Sequence, residues 1–173
     1  MVISLGEDRA RVPSPAIPGA TTDGETHGAG LARSAVGVDK FVTVRGLRIR
    51  YRTAGKGSPL VLLHGWGTSL DTFRPMSEDL GRFHTVTSFD FPGHGQSDLP
   101  PAAWAVDDFV GLTVDLMAEL GIVKASVLGH SFGGRVAIKL AAAHPDKVDR
   151  LVLVDAAGVP PAQTLRRRLK RFA

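Results

Sequence analysis

The chain contains no cysteine. That excludes a disulfide framework, a thiolate metal site and a cysteine nucleophile, and it suits a reducing compartment, the cytoplasm. Long apolar stretches are missing too. The longest wholly apolar runs are a few residues, against the ~20 needed to cross a bilayer. Met1 to Ala10 carries Glu7 and Asp8 where a secretory signal would place its apolar core. The reading is a soluble, unexported protein with no membrane span. Excess charge is small: the formal net charge is +4, and it gathers at Arg166, Arg167, Arg168, Lys170 and Arg171. Nucleic-acid binders usually spread basic residues along a binding face, so no nucleic-acid partner is expected. No internal repeat is present, no cofactor or metal site is indicated, and 173 residues suit one domain with a sizeable core.

Composition divides the chain unevenly. Residues 1–38 mix Pro13, Pro15 and Pro18 with Gly19, Gly24, Gly28 and Gly30 and show no sustained apolar period, which predicts a disordered leader. From Phe41 the pattern changes. Phe41 to Val44 and Leu47 to Tyr51 alternate apolar and polar around Arg45-Gly46, the signature of an antiparallel hairpin. Short apolar runs then recur at Leu60 to Leu63, Thr85 to Phe89, Ala125 to Leu128 and Leu151 to Val154. Such runs suit parallel strands covered on both faces. Helical patterns lie between them at Leu70 to Leu80, from Val106 to a glycine stop at Gly121, and from Phe132 to Ala143 before His144-Pro145. Strand and helix alternate, which implies an α/β fold with a mostly parallel sheet and flanking helices.

Gly129-His130-Ser131-Phe132-Gly133 sits between one of these strands and the next helix, and reads as a G-x-S-x-G nucleophile elbow. A serine attacks a carbonyl only if its oxygen projects from the scaffold, and a tight strand-to-helix turn supplies that projection. Such a turn crowds the positions two residues away on either side, which explains Gly129 and Gly133. Gly134 lets the helix lie close to the sheet. Ligands in a parallel sheet gather at the carboxyl ends of the strands, so the residues after Leu63, Phe89, Leu128 and Val154 should share one rim. After Leu63 comes His64-Gly65-Trp66-Gly67, whose backbone can bend toward the elbow. The amides of Trp66 and Phe132 are the candidate oxyanion donors, the Trp66 indole is a candidate pocket wall, and His64 is read as structural. After Phe89 comes the turn-forming loop Asp90 to Asp98.

His64-Gly65-Trp66-Gly67, the Asp90 to Asp98 loop and Gly129 to Gly134, in that order, resemble the α/β-hydrolase fold family over about residues 40 to 165. The resemblance implies an eight-stranded, mostly parallel sheet, of which the strands above match the first six. The expected organisation is a leader over 1–38, a partial α/β-hydrolase core over 39–158 and the start of a helical cap over 159–173. The cap reading rests on Pro160-Pro161 followed by Leu165 to Phe172. A sixth strand without the last two would stand as an unpaired edge. In similar proteins the Asp90 to Asp98 loop is structural, so Asp90 and His94 are not taken as catalytic acid and base.

Members with an aspartate at the elbow open epoxides or remove halogen. Ser131 instead implies acyl-enzyme chemistry on an ester, a lactone, a thioester or the carbon–carbon bond of a diketone. The family order is serine, acid, histidine. His144, the only histidine after Ser131, lies at the far end of the intervening helix, roughly 18 Å along its axis at 1.5 Å per residue, and cannot reach the hydroxyl. The base is therefore expected beyond residue 173. The acid is either Asp155, on the rim after Val154, or also beyond residue 173, whereas Asp146 and Asp149 should lie at the opposite edge. The leading expectation is a small-molecule acyl hydrolase, weak or inactive as these residues alone. The alternative is a non-catalytic short form or pseudoenzyme acting as a binding or interaction module. The sequence does not set an oligomeric state.

Overall fold

Alternating apolar residues in the segment from Lys40 to Ala54 fold into the expected hairpin. In the computed structural model, which describes residues 37–158 and the backbone of 2–4, strands β2 (Lys40–Val44) and β3 (Leu47–Ala54) pair antiparallel with Val44 opposite Leu47. Arg45 and Gly46 both take positive φ, 51° and 75°. That turn geometry matches the right-handed twist of the paired strands.

The four continuous apolar runs become β4 (Ser58–Leu63), β5 (His84–Phe89), β6 (Ala125–His130) and β7 (Val148–Val154). They run parallel in the order β7-β6-β4-β5, with β3 antiparallel on β5 and β2 outermost. Successive side chains of a strand point to opposite faces, so both faces of β4 need cover. Val61 and Leu63 join Phe109, Leu112, Leu116 and Leu140 in one core, while Leu60 and Leu62 join Phe73, Val86 and Leu128 in the other. Each such leucine removed from water contributes about 1.5–3 kcal/mol.

The first core is covered by α2 (Val106–Glu119) and α3 (Phe132–Ala143). At the start of α2 the Asp108 carboxylate accepts the Ala105 N–H at 2.8 Å. At its end the N–H groups of Gly121 and Ile122 return to the carbonyls of Ala118 and Met117, closing the last turn at the expected stop. The stretch from Leu70 to Leu80 is not one helix. It divides into a 3-10 turn, Leu70–Phe73, and α1 (Arg74–Leu80), whose second residue is Pro75. Proline has no N–H to give to the preceding turn, so a helix restarts at that point more easily than it runs through.

The sheet departs from expectation at one edge. Val2–Ser4, inside the stretch expected to be a disordered leader, forms β1 and pairs antiparallel with β7, Ile3 opposite Leu151. The described sheet thus has seven strands, and the edge predicted to stand open along β7 is occupied. Unpaired N–H and C=O groups on an edge strand will accept any extended segment within reach, and composition carries no record of that pairing. The rest of the expected leader up to residue 36, and the expected cap start at 159–173, lie outside the described residues. Asp149 is the second residue of β7, at the end of the strand away from Val154.

Candidate active site

All four parallel strands end at one rim. β6 stops at His130, Ser131 follows with φ 50° and ψ −113°, and α3 begins at Phe132. A non-glycine residue in that backbone region is strained, and the surroundings must hold it there. They do: the Ser131 N–H donates to the Val154 carbonyl at 3.1 Å, and its carbonyl accepts the Ala157 N–H at 2.9 Å. The loop after β7 therefore clasps the serine backbone on both sides. A Cβ on Gly129 would lie 2.5 Å from the Gly133 carbonyl oxygen, and one on Gly133 would overlap the Leu63 carbonyl. The glycines permit the turn sterically, as their spacing predicts. Gly134 packs against Ala156 of the loop after β7.

The loop after β4 lies against this turn. A Cβ on Gly65 would stand 3.4 Å from that of Ser131, and the Trp66 and Phe132 rings meet edge to face with centroids 5.2 Å apart. The amides of Trp66 and Phe132 donate no hydrogen bond to another described residue. Phe132 is the first residue of α3, where an N–H has no intrahelical partner and the helix dipole favours negative charge.

His64 fixes that loop. It is fully buried, and the Phe91 N–H donates to Nε2 at 2.9 Å, which places the ring proton on Nδ1, 2.8 Å from the Gly65 carbonyl it donates to. Both nitrogens are used, so the ring ties the loop after β4 to the loop after β5. Burial pushes its pKa down to about 4, and the neutral imidazole persists well below the usual range.

Asp90 and its loop are equally occupied. The buried Asp90 carboxylate accepts the Leu70 N–H at 2.7 Å, the Gln96 N–H at 2.8 Å and a bond from Arg50 Nη1 at 3.3 Å. Arg50, 4% exposed, also meets Asp39 and Asp71, and Arg52 bridges the same two carboxylates. Burial works against the Arg50 charge, but the Asp39 hydrogen bond and the Asp90 and Asp71 charges outweigh it and raise its pKa. Ser97 Oγ donates to the Asp90 carbonyl at 2.8 Å and accepts the Arg50 N–H at 2.9 Å. This network holds the rim loops in place and engages both carboxylate oxygens of Asp90. His94 Nδ1 donates to the Pro92 carbonyl at 3.1 Å and its ring packs on Trp66.

Asp155 stands on the same rim, between Val154 and Ala157 that clasp Ser131. It is exposed, at φ 46°, and its carboxylate has no hydrogen-bond partner among the described residues. His144 is at the opposite end of α3 from Ser131, bonded through its N–H to the Leu140 carbonyl. Among the described residues no imidazole hydrogen-bonds the Ser131 hydroxyl. One histidine of the elbow escaped separate attention in the sequence: His130, whose Nδ1 is buried without a partner among the described residues and faces Gly65. No regular spacing marks it.

A cleft of about 420 Å³ opens beside the elbow, between the loop after β4 and residues 92–104. Trp66, His94, Leu99, Trp104 and Phe109 line it. The sequence singled out Trp66 as a wall and placed Phe109 only within the helical pattern that begins at Val106. Trp104, just ahead of α2, was missed. The rarity of tryptophan, two in the chain, is the signal that would have found it.

Comparison with known proteins agrees with this geometry. Residues 58–173 match the family described as alpha/beta hydrolase fold. An uncharacterized protein of Mycobacterium tuberculosis is 41% identical over 120 residues, covering 69% of this chain and 35% of its own. A 2-hydroxymuconate semialdehyde hydrolase of Pseudomonas sp. is 34% identical over 126 residues, covering 70% and 44%. The solved structure of a membrane phospholipase A, described as a bacterial virulence factor, superposes with a TM-score of 0.70 at 32% identity, covering 79% of this chain and 46% of that one. This chain spans less than half the length of each of these relatives. A strained serine between β6 and α3, flanked by close-packed glycines on a helix-covered parallel sheet, together with the match over residues 58–173, shows that the chain belongs to the alpha/beta hydrolase fold family.

Proposed function

We propose that Ser131 is the nucleophile of a serine hydrolase that works through an acyl-enzyme. The observation that carries this reading is the Ser131 backbone, held at φ 50° in a strand-to-helix turn by bonds from the loop after β7. The hydroxyl oxygen attacks a carbonyl carbon while its proton passes to a general base. The carbonyl oxygen becomes an oxyanion, the leaving group departs with a proton, and water later cleaves the acyl-serine. The unengaged amides of Trp66 and Phe132 suit the oxyanion, and donors of this kind contribute about 2.7–4 kcal/mol each. Asp155 is the candidate acid. The base is assigned to a residue outside the described ones, because no described imidazole, His130 and His144 included, hydrogen-bonds the Ser131 hydroxyl, and both His64 nitrogens are occupied. The substrate is a small acyl compound: an ester, a lactone, a thioester or a carbon–carbon diketone bond. The hydrolase among the relatives is in keeping with this, and the cysteine-free composition with a cytoplasmic setting.

A second reading, a non-catalytic binding or interaction module, is favoured by one observation only, the lack of a histidine partner for Ser131 among the described residues. Exogenous imidazole separates the two. The 173-residue chain should turn over p-nitrophenyl acetate little or not at all, and imidazole should add a turnover above its own background that vanishes in Ser131→Ala. No Ser131-dependent increment would defeat the nucleophile assignment. Rapid turnover without imidazole, abolished by Ser131→Ala, would show that a base is already present.

A further inference from the structure

We propose that the cleft beside the elbow is a binding subsite for an uncharged aromatic group. This deepens the hydrolase reading by naming the substrate class, and it rests on that reading for its catalytic meaning alone.

Apolar residues of this size normally leave water, yet here they face it: Trp66 is 65% exposed and Leu99 78% exposed across the opening. Beneath them Phe109 is buried at 3% and forms the floor. Both indoles meet the Phe109 ring nearly perpendicularly, Trp66 at 6.4 Å and Trp104 at 5.3 Å between centroids. Aromatic pairs prefer such edge-to-face or offset arrangements, and a flat guest ring would find an aromatic partner on each wall and on the floor. At about 420 Å³ the cleft falls within the usual range for small-molecule sites.

Charge decides the class of guest. Among the described residues no aspartate, glutamate, lysine or arginine lines the cleft, and the remaining lining residues are glycine, alanine and proline apart from His94. His94 spends Nδ1 on the Pro92 carbonyl, which as an acceptor requires the ring proton there. A carboxylate or ammonium entering this space would give up water without a counter-charge, whereas a neutral ring would give up little. Trp66 links the cleft to the elbow: it lines the cleft, and its ring meets that of Phe132, the residue after Ser131.

The two tryptophans are the only ones in the chain, and both line the cleft, so the indole N–H signals of a ¹⁵N-labelled sample report on this site directly. The probes are 2-naphthylacetamide and its near-isosteric anion 2-naphthylacetate, titrated at pH 8 into the Ser131→Ala chain, with Trp66→Phe and Trp104→Phe assigning the signals. Both indole signals should shift with the amide, and the anion should bind at least tenfold more weakly. Ala103→Glu, a change at an exposed wall position, should weaken amide binding about tenfold. Unmoved indoles, equal response to amide and anion, or undiminished binding in Ala103→Glu would overturn the proposal. Because Ser131→Ala removes catalysis, shifts without imidazole-assisted turnover would refute the nucleophile alone, and turnover with unmoved indoles would refute the cleft alone.

Discussion

Acid should loosen this fold in a window set by one buried ring. His64 is fully enclosed and accepts from the Phe91 N–H, so the folded chain takes up its proton only near pH 4, whereas an unfolded histidine does so near 6.5. Between those values the unfolded state binds more protons than the folded one, and stability falls as pH falls. The contribution is fully present above about pH 6.5 and is lost progressively down to about pH 4. A separation of about 2.5 units, at 1.36 kcal/mol each, amounts to about 3 kcal/mol overall, most of it gone by pH 4.5. Asp39 and Asp71 act lower. Burial raises their pKa values, but hydrogen bonds and charge from Arg50 and Arg52 outweigh it and hold both below 3.8, so their contribution disappears only in stronger acid. Urea unfolding followed by circular dichroism at pH 7, 6, 5 and 4.5 should show the midpoint falling across this range. His64→Gln can still accept from Phe91 and cannot titrate. It should start about 0.5–1.5 kcal/mol less stable for the lost bond to Gly65 and show a nearly flat profile. A flat wild-type profile, or the same slope in His64→Gln, would refute the reasoning.

Gly133→Ala should destabilise the chain by about 1–3 kcal/mol, because its Cβ meets the Leu63 carbonyl on a central strand, and a urea midpoint equal to wild type would show that the elbow can give way. Arg50→Met should cost about 3–5 kcal/mol by leaving the buried Asp90 carboxylate without its cation. Arg50→Lys should recover only part of that, since an ammonium cannot bridge three carboxylates as a guanidinium does. Thermal unfolding of the two variants side by side checks both statements.

Much of the fold was legible because its signals are local. The runs at Leu60 to Leu63 and Ala125 to Leu128 announced buried strands, and Gly121 and Pro145 announced helix ends. Gly129 and Gly133 belong with these, since the steric demand of a tight turn falls on residues two positions away. The site was half legible. Ser131 and the loop after β4 could be placed on one rim from strand order, but nothing in the spacing of His64 and Phe91 shows that a ring nitrogen of one takes the amide of the other. Trp104, before a helix, belongs to no periodic pattern, and only the rarity of tryptophan sets it apart.

The sequence by itself determined the alternation of strand and helix, the two covered faces of the sheet and a serine in a strained turn, because each depends on residues within a few positions of one another. Only the tertiary structure decided that Val2–Ser4 pairs with β7, that Arg50 gathers Asp39, Asp71 and Asp90, and that Trp66 and Trp104 face one cleft. Those are meetings of segments distant along the chain. Which remote segments meet is settled by packing and strand pairing in three dimensions, and periodicity along one dimension does not encode it.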